Sequence, residues 1–74
     1  MNEKRRKRLE DAKAKLEDAR NIIEEVRDEE QESFDNMPEG LQQAERGQAS
    51  EEAVSTLDEA ADTLSSVIDN LDIG

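Results

Sequence analysis

The sequence predicts an all-α protein: an antiparallel hairpin of two long, coiled-coil-like helices with a short connecting helix, dimerising into a four-helix bundle. Two observations lead there. Apolar residues fall at Leu9, Ala12, Leu16, Ala19, Ile23 and Val26, alternately three and four apart, and Val54, Leu57, Ala61, Leu64, Ile68 and Leu71 repeat the alternation. This is the seam of helices packed side by side, and no period-two pattern competes with it. Charged residues make up 42% and hydrophobic ones 32% of 74 residues, with Phe34 the single aromatic. Such a composition suits solvated helices with one apolar stripe, and the length allows a single domain, residues 1–74.

Each element has its own signal. Helix one is expected over residues 3–33, carrying the first seam. A short connecting helix is expected over 38–46, because Asn36 can cap it and Pro38 fits a first turn whose N–H is unpaired anyway. Helix two is expected over 50–72, with Ser50 as N-cap and Glu51 and Glu52 in the first turn, where the helix dipole favours anions. Gly47 is expected between elements.

The register follows from charge and seam together. With Leu9 as heptad position a, Arg6, Lys13, Arg20 and Arg27 occupy e on helix one, and Glu51, Asp58, Ser65 and Asp72 occupy e on helix two. In an antiparallel pair e faces e, so Arg6–Asp72, Lys13–Ser65, Arg20–Asp58 and Arg27–Glu51 form one register, each pair totalling 78 in residue number. The matching seam layers, totalling 80, run from Leu9–Leu71 to Val26–Val54 and are all apolar. A slip of one heptad, to totals of 87, would set Glu30 against Leu57 and Ser33 against Val54, polar groups facing a core. The first register is therefore expected, with Arg20→Cys and Asp58→Cys crosslinking and Arg27→Cys and Asp58→Cys not.

Composition also bounds function. Neither cysteine nor histidine is present, which removes thiol chemistry, thiolate metal sites, the usual general base and the commonest transition-metal ligand. The paired carboxylates Glu24-Glu25 and Asp28-Glu29-Glu30 lie on a helix surface without a pocket. Asp35 to Gly40 departs from a calcium loop at Met37, with Arg46 where the twelfth-position acid should stand, and Asp69 to Gly74 departs at Leu71 and Ile73. No enzyme activity, cofactor or metal is expected. Nor is a secretory leader or membrane span, so the chain is read as a soluble protein of the cytoplasm.

Charge is unevenly placed. Residues 1–20 carry eight basic and five acidic side chains, or +3, whereas residues 21–74 carry two and 16, or −14. The acidic body repels phosphate backbones and anionic membranes. Along a rod of about 30–35 Å its carboxylates approach the charge density of duplex DNA once two copies are combined. The expected acidic face is Glu51, Asp58, Asp62, Asp69 and Asp72, serving either solubility or mimicry of nucleic acid. The basic run Lys4 to Arg8 has two readings: balance against Asp69 and Asp72 at the end of helix two, or contact with an acidic partner or nucleic acid. Phe34, Met37 and Leu41 sit off both seams, as a plug for the end of the bundle or an apolar contact for a protein partner. At the g positions, Ile22 on helix one and Ala53, Ala60 and Val67 on helix two widen the apolar stripe. They are the expected dimer strip.

The stretch Phe34-Asp35-Asn36-Met37-Pro38-Glu39-Gly40-Leu41-Gln42, followed by Glu45-Arg46-Gly47 and a periodic Ala/Leu/Asp/Glu helix, resembles small acidic proteins of phages and mobile elements of Gram-positive bacteria, with Met37 where Leu is usual. The resemblance covers about residues 24–71; it implies a helical hairpin in that setting and carries over no catalytic residue. Small phage proteins of this kind often block host factors, an analogy of setting alone. The expected function is accordingly a dimeric, non-enzymatic protein–protein interaction module in the host cytoplasm. It would inhibit a host nucleic-acid-binding or defence protein through a DNA-like acidic surface, the alternative being a structural or scaffolding assembly piece.

Overall fold

The computed structural model describes residues 1–72; Ile73 and Gly74, which end the second calcium-loop-like stretch, lie outside them. Three helices follow in order: α1 (Glu3–Asp35), α2 (Glu39–Gln42) and α3 (Glu45–Asn70), with no strand among the described residues. α1 and α3 pack along each other as the two arms of the expected hairpin, and α2 packs on α3. The molecule measures 58 × 14 × 13 Å. At 1.5 Å per residue α1 alone accounts for about 50 Å of that length and α3 for about 39 Å, so one arm is longer than the other.

The termini of the elements follow from local chemistry. Asn2, extended at φ −77° and ψ 164°, caps α1 by accepting a hydrogen bond from the Arg5 backbone N–H at 2.8 Å, which satisfies one of the free donors of the first turn. α1 continues two residues past the expected end. Asn36 closes it as C-cap, its N–H donating to the Glu32 carbonyl, and does not cap the connecting helix as expected. Gln42 reaches back and donates from its side-chain amide, at 3.0 Å, to the Phe34 carbonyl, which also accepts from the Met37 backbone N–H at the same terminus.

The connector departs further from expectation. The connecting helix covers only Glu39–Gln42 within the expected 38–46, with Pro38 just before it. α3 then starts at Glu45, with Ala44 as an extended N-cap that offers no side-chain bond. Ser50 is therefore no cap: it lies inside α3 and is buried, at 6% exposure. Gly47 is likewise inside α3, and a Cβ there would overlap the carbonyl oxygens of Leu41 and Gln42. The absence of a side chain lets the first turn of α3 pass directly over the end of α2. Small residues at 47 and 50 thus carry the helix interface into the turn, where a cap and a loop were expected.

This turn shifts the register. Arg27 reaches Asp58 at 2.7 Å and Arg20 reaches the Ser65 hydroxyl at 3.4 Å, pairs that total 85 where 78 was expected. The hairpin adopts the one-heptad slip that seam matching disfavours. By the same offset Leu16 falls beside Leu71, Ile23 beside Leu64, Glu30 beside Leu57 and Ser33 beside Val54. The anticipated cost does not arise, because a two-helix hairpin leaves its flanks open: Glu30 is half-buried, Ser33 is exposed, and no buried side-chain nitrogen or oxygen among the described residues lacks a partner.

α1 also rotates about its axis along the hairpin. Its inward face passes from Leu16 through Arg20, Ile23, Arg27 and Glu30 to Phe34, all half-buried, with Met37 half-buried just past its end, while Val26 of the expected seam turns outward. Phe34 and Met37, expected off the seam, continue this face. Ala61 and Ile68 of α3 form the buried centre.

Candidate interaction surface

Three surfaces result from this register, and the first is the charged flank. Arg27 donates from Nη1 to Asp58 and from Nε and Nη2 to its neighbour Asp28, at 2.7 to 3.1 Å. Arg20 lies 3.8 Å from Glu24 as well as near Ser65. The hydrogen bonds it donates to Asp28 and then to Asp58 raise the Arg27 guanidinium above its ordinary range. It is cationic wherever the hairpin would be studied, and its contribution is lost only at pH above that of a free arginine. The expected partners were exchanged by the slip: Arg27 meets Asp58 and not Glu51, and Arg20 meets Ser65 and not Asp58.

Four of the five expected acidic residues share one face of α3: Glu51, Asp58, Asp62 and Asp69 recur at seven, four and seven residues on one helical stripe with Ser55 and Ser65 between them, and Asp72 follows just past the end of the helix at Asn70. All five are exposed, and only Asp58 is engaged by a cation among the ion pairs of the described residues.

The second surface is the opposite flank, which is open and apolar. Ile22 is 59% exposed, Val26 45% and Val67 39%, and the observed offset sets Ile22 across from Val67. Ala53 and Ala60 lie half-buried at the same heptad position as Val67. The expected strip is therefore brought to one side of the hairpin, and Val26, read from the sequence as seam, joins it. The signal for Val26 was the e column of α1, whose Arg20, Arg27 and Phe34 could turn inward only if the d column turned outward. At the turn, Phe34 and Met37 are half-buried and Leu41 is exposed.

The third surface is the part of α1 that no other described residue covers. In the observed register Leu71 lies beside Leu16, so residues 3 to about 13 extend beyond the end of α3. Lys4 to Arg8 are all exposed, and the expected placement beside Asp69 and Asp72 is overturned: those residues lie roughly a heptad or more further along α1. Met1, Arg5, Arg8, Leu9 and Ala12 line a shallow apolar depression there.

Among the described residues no group of carboxylates is arranged to hold a metal ion, and no helix is long and apolar enough to cross a membrane. The chain matches no protein-family model, no curated protein and no solved structure.

Proposed function

We propose that this protein is a non-enzymatic protein–protein interaction module of a phage or mobile element, active as a homodimer in the host cytoplasm. Its acidic stripe engages the basic surface of a host nucleic-acid-binding or defence protein and blocks it. The observation that carries this reading is the alignment of Glu51, Asp58, Asp62 and Asp69 on one exposed face of α3, with Asp72 exposed just beyond its end and, among the ion pairs of the described residues, a cation at Asp58 alone of the five. A stripe serving only helix pairing would carry its charges at the flank; here Asp62 and Asp69 stand away from it. The contact is electrostatic and therefore salt-sensitive, since exposed charges screen over about 8–10 Å at ordinary ionic strength.

The test is capture from nuclease-treated Gram-positive lysate with the tagged chain, followed by elution with salt and with duplex DNA. A DNA- or RNA-handling protein released by both, and lost when the five acids are changed to their amides, is the expected result. Recovery of a partner that duplex DNA does not displace, or that the amide variant still holds, contradicts it. A structural role, as a helical assembly piece joining copies of itself or of a larger phage protein, is the alternative favoured by the open apolar flank of Ile22, Val26 and Val67. Growth beyond a dimer with concentration would select it.

A further inference from the structure

We infer that the surface covering the projecting end of α1 is a second copy of this chain, docked antiparallel so that each copy's basic end lies over the acidic turn end of the other. The inference rests on the homodimer proposed above and fixes its orientation.

Two observations carry it. The first is charge complementarity within α1 itself. Its first six residues hold Lys4, Arg5, Arg6, Lys7 and Arg8, whereas residues 24–35 hold seven carboxylates and one arginine. An antiparallel pair of α1 helices brings the first stretch against the second at both ends, and a parallel pair sets like against like. The second is continuity of the apolar surface. Met1, Arg5, Arg8 and Ala12 of the uncovered depression lie on the same d and g columns as Ala19, Ile22 and Val26 of the open flank. The stripe runs basic, small, apolar and acidic along α1 to Glu29, interrupted between Ala12 and Ala19 by the exposed Lys15, whose ammonium pairs with Asp11 at 3.4 Å.

Such a stripe is self-complementary about a two-fold axis near Ala19, as a closed dimer requires. Ala12 then faces Val26 of the partner, Arg8 faces Glu29, and Lys4 and Arg5 face Glu32 and Ser33. The small side chains of Ala12 and Ala19 permit close approach of the two helices. Leu9 and Ala12, which have no α3 opposite them in their own chain, enter the groove between α1 and α3 of the partner, beside Ala60.

Charge reversal tests the geometry through sedimentation of two variants, alone and mixed. Arg5→Glu with Arg8→Glu puts anions into the first turns of α1, and Glu29→Lys with Glu32→Lys puts cations into its last turns. Both changes suit the helix dipole, so the hairpin itself is not placed at risk. The native chain is expected to dimerise, and each variant alone to associate roughly 10-fold or more weakly. An equimolar mixture should regain the native affinity, because both ends of the heterodimer then pair opposite charges. A native chain that stays monomeric overturns the dimer itself. A native dimer whose variants dimerise unchanged, or whose mixture gains nothing, overturns the antiparallel orientation alone.

Discussion

Two stretches of α1 carry comparable patterns and are used in opposite ways. From Ile23 to Asp35 the inward positions are Ile23, Arg27, Glu30 and Phe34; two of the four are charged, yet all are half-buried against the rest of the hairpin. Leu9 and Ala12 are the purer seam, and they extend past the end of α3, half-buried in a depression that they line with Met1, Arg5 and Arg8. A heptad pattern specifies which face of a helix is buried and leaves the register free in steps of seven. The turn makes the choice. Gly47 lets the first turn of α3 pass directly over the Leu41 and Gln42 carbonyls, and Ser50 is buried in the next turn, so the start of α3 is set close against the connector.

The largest expected effect sets the covered stretch against the uncovered one. Ile68→Ala removes a buried side chain and should cost about 2–5 kcal/mol, enough to unfold a hairpin this small. Leu9→Ala should change the stability of the monomeric chain by less than about 0.5 kcal/mol. Urea titrations at low protein concentration compare them, and equal costs would break the distinction. Gly47→Val comes next. Its side chain would overlap the carbonyls of Leu41 and Gln42, and thermal unfolding should report a loss of about 1–3 kcal/mol.

A smaller change sharpens the comparison in the opposite direction. Glu30→Leu places an apolar group beside Leu57 and should stabilise by about 1 kcal/mol, the return on partial burial of a leucine. In the register totalling 80 the same residue would lie beyond the last seam layer, and the substitution would be neutral. Gly40→Ala is smaller still. Nothing approaches within 4 Å of a Cβ at Gly40 and its φ is not positive, so alanine should stabilise by about 0.4–1 kcal/mol through the unfolded chain.

Helix class, helix number and the antiparallel arrangement were legible because they depend on period and composition. So was the division of α3 into an acidic stripe, an apolar seam and an apolar flank, because each repeats along the helix. The register was not legible, because charge matching at e and apolar matching in the seam favoured pairs totalling 78 and 80, seven residues away from the register the hairpin adopts. Ser50 illustrates the reason. A serine followed by two glutamates reads as a helix start, but its small size also suits it to a crowded helix crossing, and the packing around Gly47 gave it the second role. Glu30 illustrates the other half: a polar residue counts against a register only where its polar atoms are buried unpaired, and in a two-helix hairpin this inward position is only half-buried, with no buried side-chain oxygen left unpaired among the described residues.

The most direct test of this account is intramolecular crosslinking with a short thiol-reactive linker in two double variants, at protein concentrations too low for association. Arg27→Cys with Asp58→Cys should crosslink readily, because the native side chains meet at 2.7 Å. Arg20→Cys with Asp58→Cys should not, since its two sites lie about 10 Å further apart along the axis, one heptad at 1.5 Å per residue. The reverse result, with the 20–58 pair linked and the 27–58 pair free, would return the hairpin to the register totalling 78 and contradict the role assigned to the turn.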